Sequence, residues 1–427
     1  MRRAGPPLVG GPAPQIAMLW TWLSVNRPGL QRPAILGSGP RQVNVLLQRS
    51  RQAGAAGLSD NRDPASAEAN PDGWQAMKQP PEHSKGNKSS PAGPLGVALL
   101  GHGMAGAFFH GPLIESTPGL ALRVIASSRA ESLGLRRPGP RIEPDALAAC
   151  AAPDVDLVVI ATPNALHEPL ARAALEAGKH VLVDKPLALS TRGIDSLVAL
   201  ARRQGRQLEV FHNRRRDGDF GVLQSLLQAG SLGELRLLEL RWDRFRPLVP
   251  GGWRHEQQPG AGVLWDLGPH LIDQALALLG SPDDFSADLA CQRAGAVATD
   301  YFELTLRYGA TRCIVSSSNL VAEARPRFAA HGSEGSWLGF GVDPQEAALK
   351  AGGRPDEAGF RAALPRQRSV AVDAEGRRTE SPIEPGDWRS FYVDLETALR
   401  GAAPLPVGAA AGREVVALIE AALASAG

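Results

Sequence analysis

Leu95-Gly96-Val97-Ala98-Leu99-Leu100-Gly101-His102-Gly103-Met104-Ala105-Gly106 is the stretch on which the reading of this chain turns. Its first six residues are a short apolar run of buried-strand character. Gly101, Gly103 and Gly106 follow at the spacing of a phosphate-binding turn, and the segment from there to Ile114 reads as helix. A second apolar run, Leu120 to Ala126, completes a strand–turn–helix–strand unit. The glycines serve three physical ends, namely a tight turn, close approach of backbone to a pyrophosphate, and close packing of helix on strand. The amides of Met104, Ala105 and Gly106 open the helix, where N–H groups and the helix dipole attract phosphate. A bare glycine triplet is weak evidence in a chain with 47 Gly, but this one lies in the strand–helix context that the motif demands.

Cofactor choice is set at the end of the second strand. An NAD site usually has Asp or Glu there, about 20 residues on, to hold the ribose 2′-hydroxyl. Here Ser127, Ser128 and Arg129 stand instead. Two hydroxyls and a guanidinium suit a 2′-phosphate, which a carboxylate would repel. NADP(H) is the expected cofactor, with NAD as the alternative.

The 427 residues, 43% of them hydrophobic, suffice for two ordinary cores. Net charge is only +2 and the basic residues are dispersed, which gives no footprint for nucleic acid. Cys150, Cys291 and Cys313 are widely spaced and odd in number, against a disulfide framework or zinc site and in favour of a reducing, cytoplasmic compartment. No run of ~18 apolar residues predicts a membrane span.

Residues 1–92 are rich in Pro, Gly, Arg, Gln, Ser and Asn and read as a disordered extension. Arg2-Arg3 ahead of the apolar stretch Ile16 to Val25 resembles an export signal, but Thr21 and Ser24 interrupt it and no cleavage site follows promptly, so an extension upstream of Met77 is the simpler reading. Residues 93–213 alternate strand and helix. Val155–Ala161, His180–Asp184 and Leu208–His212 are further buried strands, Asn164 and Ser190 or Thr191 are helix caps, and Gly178 and Gly205 are helix stops. Such alternation predicts a doubly wound parallel sheet. From 214 to 427 the pattern changes to strands at 235–245, 285–294, 301–308 and 312–319, with shorter ones at 328–332, 337–341 and 366–372. Helices at 386–400 and 412–426 close an α+β domain whose large sheet is mostly antiparallel and leaves one face for a subunit contact.

Two further spots carry chemistry. Asp184-Lys185-Pro186 ends a parallel strand, where ligands bind in doubly wound sheets. Asp266 and His270 are four apart, which on one helix puts both on one face, with Pro269 in the first turn. A histidine beside a carboxylate is suited to general-base work near neutral pH; a capped helix start with a packed histidine is the plainer alternative. No third ligand stands at a metal-binding spacing, so no metal is expected.

Taken together and in this order, Gly101 to Gly106, Asp184-Lys185-Pro186 and Gly262 through Asp266 to His270 resemble the Gfo/Idh/MocA oxidoreductases from about residue 95 onward. Asp184 stands where the family usually has Glu, as in a branch similar to the NADP-dependent scyllo-inositol dehydrogenases. Ser127-Ser128-Arg129, Phe211 to Arg215, Asp243 to Pro247 and Trp253-Arg254 fit that branch. The resemblance implies a Rossmann domain and hydride transfer between NADP(H) and a cyclitol or sugar hydroxyl in a homodimer or homotetramer. It assigns Lys185, Asp266 and His270 to proton handling. Thr162, Pro163, Asn164 and His167 fall on the nicotinamide side, and Asn213, Arg244, Trp253 and Arg254 in the substrate pocket. Arg216 replaces a common aromatic residue, and His255 replaces a common acidic one. A dihydrodiol, biliverdin or anhydro-sugar reductase, or a dinucleotide-sensing regulator, are the alternatives.

Overall fold

A computed structural model describes residues 93–128 and 139–425 of the chain. The expected disordered extension and Arg129 lie outside the described residues. The glycine-bearing unit seeds a six-stranded sheet, β1 (Leu95–Leu100), β2 (Leu120–Ala126), β3 (Arg141–Glu143), β4 (Leu157–Ile160), β5 (His180–Asp184) and β6 (Leu208–Phe211). Every pairing is parallel, in the order β3-β2-β1-β4-β5-β6. This is the Rossmann order, and its switch point between β1 and β4 opens a crevice at the carboxyl ends of those strands.

β1 is buried along its whole length because both faces are covered. Val97 and Leu99 face one core with Leu157, Val159 and Leu182, whereas Ala98 and Leu100 face the other with Val158 and Ile160. The first of these cores is completed by Trp388, Phe391, Tyr392 and Leu395, mainly from a helix at Arg389–Leu399. That helix therefore returns from near the end of the chain to roof the parallel sheet. Ser190 accepts from the amide of Gly193 as an N-cap, and Gly205 ends the helix Thr191–Gln204 in the left-handed conformation.

Glu209 sits fully buried in β6. Its carboxylate accepts from the amides of Val210 (2.8 Å), Gly408 (2.7 Å) and Val407 (3.2 Å), tying the strand to the start of the C-terminal helix Ala409–Ser425. Burial pushes its pKa up to about 7. Glu209→Ala strips three amides, the buried one of Val210 and the half-buried ones of Val407 and Gly408, of their acceptor. It is expected to destabilise the protein by about 2–4 kcal/mol, read as a lower denaturant midpoint with an unchanged slope.

The second sheet has eight strands: β7 (Leu235–Arg241), β8 (Asp284–Ala290), β9 (Tyr301–Tyr308), β10 (Thr311–Ser318), β11 (Phe328–Gly332), β12 (Gly335–Phe340), β13 (Gln367–Asp373) and β14 (Arg378–Ile383). Their order is β14-β13-β12-β11-β7-β10-β9-β8, antiparallel except for β7 beside β10. The α/β plus α+β architecture is as expected. Several elements differ from the sequence reading. The strand read as 235–245 ends at Arg241, and the one read as 285–294 ends at Ala290. β3, β14 and the helices Ala146–Ala151, Gly218–Gln228 and Gln345–Lys350 were not anticipated. β14 escapes because it is an exposed edge strand interrupted by Pro382, which an edge tolerates.

Candidate active site

The glycine turn is built as its residue types require. Gly101 has φ +95°, and a Cβ there would stand 2.6 Å from the carbonyl oxygen of Ala161. A Cβ on Gly106 would stand 2.0 Å from the carbonyl oxygen of Gly101, so only glycine lets this turn close. Around Gly103 the space is open, and the Met104 side chain is 48% exposed. Ala105 and Gly106 continue into a π-helical turn, Gly106–His110, and an α-helix, Gly111–Glu115. A close backbone turn, an uncovered face at Gly103 and a helix start directed there fit a dinucleotide pyrophosphate. Beyond β2, Ser127 is half-buried and Ser128 exposed.

Ends of β4 and β5 are pinned to one another. His167 is buried with both ring nitrogens against carbonyls, Nδ1 2.7 Å from Pro186 O and Nε2 3.0 Å from Thr162 O. Its ring is thus turned to backbone, and it fixes the two loops. Pro163 precedes a short 3₁₀ turn, Asn164–Leu166, and the α-helix begins only at His167. Asn164 was expected to cap that helix; instead its side-chain amide donates to Gly260 O at 2.9 Å, linking this loop to the segment before Asp266. Thr162 Oγ1 is buried without a partner among the described residues.

Asp184 Oδ1 accepts from the amide of Lys185 at 2.8 Å, and the Lys185–Pro186 bond is cis. Behind Asp184 lies a group that the sequence reading missed: His110, fully buried, with Nε2 4.0 Å from Asp184 Oδ2 and Nδ1 2.6 Å from Tyr392 Oη. Burial lowers the His110 pKa to about 4, so a neutral imidazole backs the carboxylate.

Lys185 reaches across from β5. Its Nζ donates to the backbone oxygen of Asp266 at 2.6 Å and lies 3.7 Å from Asp266 Oδ1. Arg254 Nε is 3.3 Å from Oδ1, and Arg244 Nη1 is 3.5 Å from Oδ2. Burial alone would raise the Asp266 pKa, but Lys185, Arg254 and Arg244 outweigh it and hold the carboxyl below its usual range. Arg254 is braced on the Trp253 ring, 4.5 Å from its centroid. Asn213 is buried just past β6, at the start of a 3₁₀ turn.

Asp266 and His270 do not share one helix. Val263–Asp266 forms its own turn, Leu267 breaks it, and a second helix, Gly268–Leu279, begins with Pro269 in its first turn. The carboxylate consequently faces Lys185 and the arginines, without a hydrogen bond to His270. His270 is 8% exposed and packs on Trp242, with ring centroids 5.8 Å apart. Burial, followed by the charges of Lys185 and Arg214, lowers its pKa well below 6.5 and keeps it neutral. Its Nδ1 has no hydrogen-bond partner among the described residues, nor have the ring nitrogens of neighbouring His212, whose Nε2 lies 3.7 Å from Asp273 Oδ1. Arg214, also missed from sequence, is buried between Trp242 and Trp388 and paired with Asp217 and Glu346. Among the described residues no cluster could hold a metal ion, and no helix is long and apolar enough to cross a membrane.

A parallel sheet with this glycine turn is a nucleotide-binding fold, and the protein is an NAD(P)-dependent oxidoreductase. It belongs to the Gfo/Idh/MocA family: residues 95–212 match the family's NAD-binding Rossmann fold and residues 224–427 its C-terminal alpha/beta domain. The oxidoreductase YdgJ of Escherichia coli is 42% identical over 77% of this chain and 96% of its own length. The NADP(+)-dependent scyllo-inositol 2-dehydrogenase IolW of Bacillus subtilis is 34% identical over 77% of this chain and 93% of its own. Among solved structures, the Bacillus subtilis oxidoreductase yvaA superposes with a TM-score of 0.74 at 32% identity, covering 79% of this chain and 97% of that one.

Proposed function

We propose that the protein moves hydride between NADP(H) and a secondary alcohol or ketone of a cyclitol or sugar. The observation that carries this reading is the 2.6 Å bond from Lys185 Nζ to Asp266 O, which joins the end of a parallel strand to the segment bearing Asp266 and His270. When bound, the dinucleotide supplies the hydride donor or acceptor. Lys185 donates a hydrogen bond to the substrate oxygen and lowers the pKa of its hydroxyl. His270, neutral and desolvated, takes the hydroxyl proton, or returns one in the reverse direction. Asp266 orients the substrate and holds Lys185 in place. Asn213, Arg244, Trp253 and Arg254 form the donors and aromatic wall of a polyol pocket. Incubation with NADP⁺ and a panel of inositols and aldoses tests the assignment through the absorbance of reduced cofactor; a bound dinucleotide with no turnover on any of them would refute it.

NADP preference rests on Ser127, Ser128 and Arg129 and on the absence of a carboxylate at that strand end; likeness to IolW supports it. Arg129→Ala is expected to lower kcat/KM for NADP at least about tenfold more than for NAD. An unchanged ratio would remove Arg129 from 2′-phosphate recognition. The cytoplasm is the proposed compartment, in keeping with three unpaired cysteines. Self-association as a homodimer or homotetramer is proposed through the eight-stranded sheet, on the face carrying half-buried Ile314 and Leu338. Light scattering tests it.

A further inference from the structure

The charge in the pocket does not match a neutral polyol. Three permanent cations, Lys185, Arg244 and Arg254, surround the single carboxylate of Asp266. Their distances of 3.7, 3.5 and 3.3 Å are long beside the ~2.7–2.9 Å of a full charge-assisted hydrogen bond. Asp266 therefore balances the cluster only in part.

Both arginines are fixed in place. The Arg244 amide donates to Ser318 O at 2.8 Å, and its carbonyl accepts from the amide of Val321 at 3.1 Å. Arg254 lies on the Trp253 ring, and its carbonyl accepts from the amide of Gly262 at 2.8 Å. Besides Asp266, Glu346 also favours the charged form of Arg244, as the smallest of the influences on it, and is itself paired with Arg214 and Lys350. Arg246 adds a further cation to the surroundings of Arg244. Arg293 is nearby, but Asp300 neutralises it at 2.8 Å. His255 follows Arg254 directly. Burial, then the charge of Arg293, lowers its pKa, so at neutral pH it carries no charge of either sign. His270 is neutral as well. Partly desolvated guanidinium groups that share one carboxylate with an ammonium are costly, and the hydroxyls of a neutral ligand would not offset them. A planar oxyanion would, through the forked geometry that arginine offers.

We infer that the preferred substrate is an anionic polyol: a sugar or cyclitol derivative whose carboxylate or phosphate is held by Arg244 and Arg254 while its carbinol lies at Lys185 and His270. The inference rests on the proposed oxidoreductase reading and narrows its substrate class.

The test measures binding of D-glucose, D-glucuronate and D-glucose 6-phosphate to the enzyme loaded with NADP⁺ by calorimetry, together with turnover of the same compounds and of myo-inositol. At least one anion is expected to bind about tenfold or more tightly than glucose, and which one does so distinguishes a carboxylate from a phosphate. Arg254→Gln and His255→Glu, each checked for retained NADPH binding, are expected to reduce that ratio about tenfold, the second by placing an acid beside an intact Arg254. Equal or tighter binding of glucose, or a ratio unmoved by both substitutions, overturns the inference. Turnover of neutral compounds without any anion preference would overturn it while leaving the dehydrogenase reading in place. Absence of all turnover would strike that reading instead, and the binding ratio would still decide the question of charge.

Discussion

Lys185→Ala is expected to lower turnover by roughly a hundred- to ten-thousandfold while leaving dinucleotide binding intact. The separation of effects follows from position. The proposed pyrophosphate cradle, Gly101, Gly103 and Gly106, lies at the end of β1, whereas Lys185 stands past the end of β5 and is bonded to Asp266 O at 2.6 Å. Removal of the ammonium takes away the group that joins the strand end to the Asp266 segment, together with the positive charge proposed to meet the reacting oxygen. The side chain is only 14% exposed and its loss removes one hydrogen bond to the Asp266 carbonyl, so a modest destabilisation of about 1 kcal/mol is expected. Lys185→Ala turning over at the parental rate would exclude Lys185 from the chemistry.

His270→Ala is expected to reduce alcohol oxidation by about two to four orders of magnitude, with a pH signature in the parent enzyme. A general base must be unprotonated. His270 has its pKa lowered well below 6.5 by burial and by nearby Lys185 and Arg214, so the base form persists as pH falls through 6.5. The acid limb of kcat/KM for alcohol oxidation should accordingly lie well below the ordinary histidine value, and ketone reduction through His270, which needs the protonated ring, should weaken as pH rises above that limb. A limb centred at 6.5 that survives in His270→Ala would assign the titration to another group. Asp266→Asn tests the companion role: it leaves Lys185, Arg244 and Arg254 without their shared carboxylate and should raise KM as well as lower kcat.

Local chemistry made part of this architecture legible. The glycine turn is visible because Gly101 and Gly106 have a steric reason to lack a Cβ, and the helix Thr191–Gln204 because Ser190 and Gly205 mark its two ends. Lys185 could be singled out because ligands gather at the carboxyl ends of parallel strands. Long-range partners were not legible. Asp266 and His270 are four apart and invite a single helix, yet Leu267 breaks it, so Asp266 meets Lys185 and the two arginines while His270 packs on Trp242. His110 and Tyr392 are separated by 282 residues, and no local pattern signals that they meet behind Asp184. The helix Arg389–Leu399 was anticipated at 386–400, but its place on the parallel sheet depends on tertiary packing of Phe391, Tyr392 and Leu395 alone. The helix Gly218–Gln228 begins with glycine, carries a second at Gly221 and lies among strands, which masks its period.

A crystal structure of the protein with NADPH bound tests the central claim most directly. The nicotinamide ring is expected in the crevice at the ends of β1, β4 and β5, with Lys185 Nζ and the His270 ring both facing the side of the ring from which hydride leaves and Asp266 between the two arginines. A ring lodged elsewhere, or Lys185 and His270 facing away from it, would contradict the account.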